Sequence, residues 1–149
     1  MTDALRLTIT TPTTVLVDSA EVAAVRAEDE SGGFGILPGH ADLLTVLPAS
    51  VVRWRDGSGA RRFCAVGGGV LTVTGGRHVA IACRQGTTGD ILAELEAEVR
   101  GMRTAEAEAD KSARVEQMRL HARAVRQLMR YLRPDRPGGF GPPPGSEAS

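Results

Sequence analysis

The chain has 149 residues, 42% of them hydrophobic, which suits one ordinary domain with a short appendage and argues against wholesale disorder. Eighteen basic residues balance eighteen acidic ones, so the basic excess of a general nucleic-acid binder is missing. No apolar run is long enough to cross a bilayer, and the N-terminal MTDALRLTIT lacks the basic-then-apolar order of a secretory leader. The two cysteines, Cys64 and Cys83, have neither CxxC spacing nor a neighbouring histidine pair, so a reduced, metal-free chain is expected.

Taken in chain order, Leu5, Leu7 and Ile9 alternate with Arg6, Thr8 and Thr10, the period of a half-buried strand. Residues 15–17, 21–27 and 51–55 are further strand candidates. Residues 32–45, GGFGILPGHADLLT, contain four glycines and one proline. That composition contorts the backbone, while Ile36, Leu37, Leu43 and Leu44 supply apolar grip. The segment reads either as a crossover between sheets or as a rigid docking loop held by a scaffold. Two hairpins are marked, one turning at Asp56-Gly57-Ser58-Gly59 and one at Thr74-Gly75-Gly76. Gly67-Gly68-Gly69 reads as a bulge or close backbone approach rather than a phosphate cradle. Strands at this spacing predict an all-β sandwich or barrel.

The pattern changes after Gly89. Asp90 can cap a helix, with Glu94 and Glu96 near its positive end. Leu92, Leu95, Val99, Met102, Ala105 and Ala109 then recur at helical spacing. Val115, Met118, Ala122, Val125, Met129 and Leu132 follow a heptad seam, and Pro134 ends it. No glycine or proline lies between Arg103 and Arg133, so the chain makes either two helices bent near Asp110-Lys111 or one long rod. Charge divides here too. Residues 90–110 carry seven acids against two arginines, a net of −5; residues 111–133 carry seven bases against one glutamate, a net of +6. An antiparallel hairpin would join the apolar seams with opposite charges flanking them. Opened, the basic helix becomes an amphipathic element suited to an acidic partner. The Pro/Gly-rich tail, residues 134–149, is expected to be disordered.

Catalytic signatures are missing. There is no GxxxxGK[ST] loop, no GxSxG elbow and no HExxH, and Gly33-Phe34-Gly35 does not continue into GxGxxG. His40, His78 and His121 fall in three different elements. No catalytic or metal-ligating set is expected.

Two stretches resemble the epsilon subunit of bacterial F-type ATP synthase (delta in mitochondria). Gly35-Ile36-Leu37-Pro38-Gly39-His40-Ala41-Asp42-Leu43-Leu44-Thr45 matches the family's GI-x-PGHA-x-LLT, and Gly67 to Val73 matches GG-x-x-x-V. The order of a β region followed by helices agrees as well, over roughly residues 5–133. The resemblance implies a mainly β plus α fold: an N-terminal β-sandwich (1–89), an antiparallel two-helix hairpin (90–133) and the extra tail (134–149). It implies a non-catalytic subunit of the central rotor stalk. Such a subunit holds gamma and sits on the ring of c subunits, so that rotation couples ion flow to ATP synthesis. On that resemblance the protein lies peripherally on the cytoplasmic face of the bacterial plasma membrane and reaches the membrane only through partners. Ile36, Leu37, Pro38, Gly39, His40, Leu43 and Leu44 would form the rotor interface. The C-terminal helices would extend toward the alpha and beta subunits and inhibit ATP hydrolysis. Arg114, Arg119, Arg123, Arg126, Arg130 and Arg133 would be their basic face.

Departures from the family pattern are specific. Some members bind ATP through (I/L)DxxRA at the first helix; here Leu92 to Ala97 reads LAELEA, so no nucleotide cofactor is expected. Gly33 stands where the family often has an acid, Asp42 replaces the proline of PGHAPLLT, and Thr72 replaces the acid of GG-x-x-E-V. These changes suggest a divergent branch of the kind an alternative, sodium-coupled ATPase operon encodes. A competing reading is a free-standing β domain whose basic helix docks nucleic acid or anionic membrane. The acidic segment beside that helix and the zero net charge weigh against it.

Overall fold

A computed structural model of the chain describes residues 4–132. Seven strands precede one helix: β1 (Leu5–Thr10), β2 (Val15–Asp29), β3 (Gly32–Ile36), β4 (Leu43–Asp56), β5 (Arg61–Thr74), β6 (His78–Cys83), β7 (Gly86–Gly89) and α1 (Leu92–Tyr131). The alternation expected in β1 is present, with Leu5, Leu7 and Ile9 fully buried. Stretches that alternate separately in the sequence fuse into longer strands. Residues 15–17 and 21–27 both belong to β2, and the two arms around Gly67 to Gly69 both belong to β5. Within β5, Gly69 is a close approach, since a Cβ there would lie 2.3 Å from the carbonyl oxygen of Ala82.

Strand order runs β1-β6-β5-β4-β2-β3, with β7 on β5. β1 also pairs with β2, so the ladder returns on itself and the sandwich is closed in the manner of a barrel. Among the described strand pairs only β1–β6 is parallel. Register shifts between Leu5 and Leu7, between Ile9 and Thr10, and between Val22 and Ala24 mark the bulges at which long strands bend. The core lies inside, built from inward positions such as Val22, Val25, Ile36, Val52, Leu71 and Ile81. Burying these side chains supplies the main favourable term of the fold. Cys64 and Cys83 are buried, free thiols.

One seam of the ladder is left open. β2 and β4 pair only from Val22 to Arg26 against Asp56 to Arg53. Beyond that point they diverge around a cavity of about 350 Å³ lined by Ala27, Glu28, Ser50, Val51 and Arg103 among others. Arg103 of α1 enters the gap. Its Nε donates to the carbonyl oxygen of Ala49 (2.8 Å), a group that has no partner strand there, and its guanidinium lies 3.8 Å from Glu28.

The chain divides into two compact units between Ala105 and Glu106. In the first unit Leu95 and Val99 are buried against Ala49 and Ala65, with Val51, Phe63 and Met102 packed around them. The Arg53–Glu96 ion pair (3.5 Å) and the bond from Thr87 Oγ1 to Glu98 (2.8 Å) flank that contact. In the second unit every described residue of α1 is exposed. The helical content falls where the sequence puts it, but the turn of the expected hairpin, near Asp110-Lys111, is not formed. Residues 92–131 make one helix, the second of the two arrangements the sequence allowed. Nothing in the sequence breaks the backbone there. Asp110 and Arg114 stand at the favourable acid-before-base i,i+4 spacing across the anticipated bend, and alanines surround it. Arg133 and the tail, residues 134–149, lie outside the described residues.

Candidate functional site

The loop between β3 and β4, residues 37–42, is folded by its own short bonds and strapped to the β5–β6 hairpin. His40 N–H donates to the Leu37 carbonyl (3.1 Å), closing a tight turn around Pro38 and Gly39. Gly39 has a φ of +87°, a conformation that L side chains rarely adopt. Its N–H donates to the carbonyl of Gly76 (2.8 Å) at the hairpin tip. The two backbones touch so closely that a Cβ on Gly76 would lie 2.9 Å from Gly39 Cα. Asp42, the departure from the family's proline, accepts a bond from Gly75 N–H at 3.0 Å. His40 Nδ1 is 2.6 Å from the Ala41 carbonyl oxygen, so this imidazole serves the loop and is half-buried. Asp29 steadies the neighbouring strand. Its carboxyl is held below the usual range chiefly by the Ser31 hydroxyl and then by Thr45 Oγ1 at 2.8 Å.

The loop and the strand after it present apolar side chains to solvent. Leu37 is 62% exposed, Leu44 70% and Val46 64%. Val46 is paired across the strands with Val70, itself exposed, and Leu44 with Thr72. An exposed apolar face on a strapped loop has the character expected of a docking surface. Of the residues expected in the interface, Leu37, Gly39 and Leu44 are exposed, Pro38, His40 and Leu43 are half-buried, and Ile36 is fully buried opposite Val25. Ile36 therefore anchors the loop from the core side. The hairpin tip, Gly75 and Gly76, was not apparent as part of this site, because nothing local signals a contact across 37 positions of sequence.

Arg114, Arg119, Arg123, Arg126 and Arg130 all lie on the exposed part of α1. Arg119, Arg123, Arg126 and Arg130 repeat the 4-3-4 spacing of Met118, Ala122, Val125 and Met129, displaced by one residue. At about 100° per residue, a basic stripe thus runs beside the apolar one. At the base of the helix Glu96 occupies the arginine position of (I/L)DxxRA, and Arg53 engages it.

Among the described residues no group of histidine, cysteine and carboxylate side chains could hold a metal ion. No helix there is long and apolar enough to cross a membrane. Burial pushes the Cys64 thiol up to about 12, which keeps it protonated and inert as a nucleophile at neutral pH.

The family model of the ATP synthase delta/epsilon chain β-sandwich domain matches residues 4–88. ATP synthase epsilon chain 2 of Paraburkholderia xenovorans is 58% identical over 136 residues, covering 91% of this chain and 98% of its own. ATP synthase epsilon chain 2 of Cereibacter sphaeroides is 52% identical over 128 residues, covering 86% of this chain and 88% of its own. A chain in the cryo-EM structure of the Euglena gracilis mitochondrial ATP synthase (OSCP/F1/c-ring) shares the fold, with a TM-score of 0.58 at 21% identity over 70% of this chain and 66% of that one. The alternative of a free-standing nucleic-acid or lipid-binding module finds no support among these relatives. A closed β-sandwich, a strapped apolar loop and a following helix, together with near full-length identity to named epsilon chains, agree on one assignment: the chain belongs to the ATP synthase epsilon family, non-catalytic subunits of the central stalk.

Proposed function

We propose that the chain joins the gamma subunit to the c-ring in the rotor of an ATP synthase and so couples ion translocation to ATP synthesis. The observation that carries this reading is the exposed apolar face of Leu37, Leu44 and Val46 on a loop strapped through Gly39 and Gly76. A rotor joint must transmit force without yielding, and a strapped loop meets that need better than a mobile one. Ile36, Pro38, His40 and Leu43 support the face from behind. Residues 1–89 are the rotor-binding part and residues 90–133 the regulatory part. In the second part the paired apolar and basic stripes are suited to an acidic surface on the alpha and beta subunits, where docking restrains ATP hydrolysis. The protein sits on the cytoplasmic face of the bacterial plasma membrane through its partners alone.

The test is recovery of the full chain, tagged at its C-terminus, from gently solubilised membranes of its source. Stoichiometric alpha, beta, gamma and c subunits are expected with the native chain. Leu44→Asp, which places a charge on the apolar face, should lose gamma and c while the isolated chain keeps its melting temperature. Recovery of the native chain without those subunits overturns the reading.

A further inference from the structure

The outer face of β4 carries a second surface, which borders the loop at Ile36 and Leu37. Successive outward positions are Ala49, Val51, Arg53 and Arg55. The helix base covers the first pair and stops. Past its edge the register sets Arg26 directly opposite Arg53, and Arg55 directly opposite Arg61. All four are exposed. Adjacent strands lie about 4.8 Å apart and successive outward positions about 6.8 Å, so the four stems rise from a patch about 10 Å across. Among the described residues this quartet has one ion pair, Arg53 with Glu96. Like charges directly opposed across strands destabilise a sheet. Here two such pairs stand side by side, over an open depression of about 610 Å³ whose lining also includes Phe63 and Leu92, both half-buried.

We infer that this face docks an acidic polypeptide segment bearing apolar side chains. Carboxylates bind guanidinium forks in a planar, bidentate manner, and a partner of that kind converts each repelling pair into a bridged one. The arginines are spread over two rows on an open face and do not converge on one point, which suits several carboxylates spaced along a chain better than one compact anion. Phe63 and Leu92 give apolar side chains of such a segment a place to rest, which an inorganic anion has no means to use. The depression borders the loop at Ile36 and Leu37, but none of the four arginines belongs to the 37–46 face, so failure of this inference leaves the rotor reading standing.

The test uses the full chain with isotope-labelled backbone amides, followed by NMR. The probes are a synthetic peptide alternating glutamate and leucine, its lysine-for-glutamate counterpart, pyrophosphate, and phosphatidylglycerol vesicles. The acidic peptide is expected to shift the amides around Arg26, Arg53, Arg55 and Arg61 in a saturable, salt-weakened way, while the lysine peptide leaves them unmoved. Arg55→Gln with Arg61→Gln should weaken that binding about tenfold, the loss of one bidentate contact. The same variant, free of partners at low salt, should melt at a higher temperature than the native chain because one opposed pair is gone. Should it fail to fold, Arg26→Gln probes the other pair in the same way. Shifts confined to α1, unchanged binding by the variants, or larger strand shifts from pyrophosphate or vesicles than from the peptide would each overturn the inference.

Discussion

Asp56 illustrates how single side chains set the turns of this chain. Its carboxyl sits below the ordinary range chiefly because the Ser58 hydroxyl binds it; desolvation opposes this, and the backbone N–H groups of Ala60 and Ser58 and the Arg62 guanidinium add to the lowering. A folded-state value below the unfolded one means that this bonding stabilises the fold above the ordinary carboxylate range, near pH 4, and is lost as pH falls through the folded value. Asp56→Asn should therefore flatten the acid-side fall of the melting temperature below about pH 4. An unchanged slope would show the carboxylate to be irrelevant to stability. Gly39 depends on backbone shape alone. A Cβ there meets nothing within 4 Å, yet φ is +87°. Gly39→Val should cost about 1–2 kcal/mol of stability. It should also reduce recovery of gamma and c subunits, read from thermal melts and pull-down together; normal melting and normal assembly would refute both effects. The glycine-rich composition of the loop was legible in sequence, and so was its role as a docking candidate. Its bond to Gly76 was not, because that contact is made by backbone groups, which every residue carries alike.

At the scale of elements, the strands whose side chains alternate were legible and those without such side chains were not. Leu5, Leu7 and Ile9 declare β1 by burial pattern. The GGFGI of β3 and the GTTG of β7 have little propensity of their own and are strands because β2 and β5 pair with them. The helix shows the same division. Its apolar spacing could be read throughout, but spacing does not distinguish a face that has found a partner from one that has not. Leu95 is 3% exposed and Met129 is 63% exposed, although both stand on helical repeats. Leu95→Ala should cost about 2–3 kcal/mol of thermal stability. Met129→Ala should cost less than about 0.5 kcal/mol in the isolated chain. Equal effects would mean that the outer part of α1 is buried in solution. Arg103 belongs to this scale as well. It bonds a carbonyl of β4 that lies where β2 and β4 are unpaired, so no local pattern foretells it.

For the molecule as a whole, the compact boundary after Ala105 fixes where the chain can be cut. A stop after Ala105 keeps Leu95, Val99 and Arg103 on the strands, whereas a stop after Gly89 strips Ala49 and Ala65 of their cover. The longer fragment should melt as the full chain does and the shorter one markedly lower. Built into the complete complex, the fragment ending at Ala105 should raise ATP hydrolysis; an unaltered rate would leave residues 106–132 without an inhibitory role. The loop has a wider consequence through Gly76, whose φ of +67° and contact with Gly39 exclude a side chain twice over. A side chain at Gly76 runs into Gly39, and one at Gly39 strains its own turn, so no single substitution at either glycine leads smoothly to a different loop.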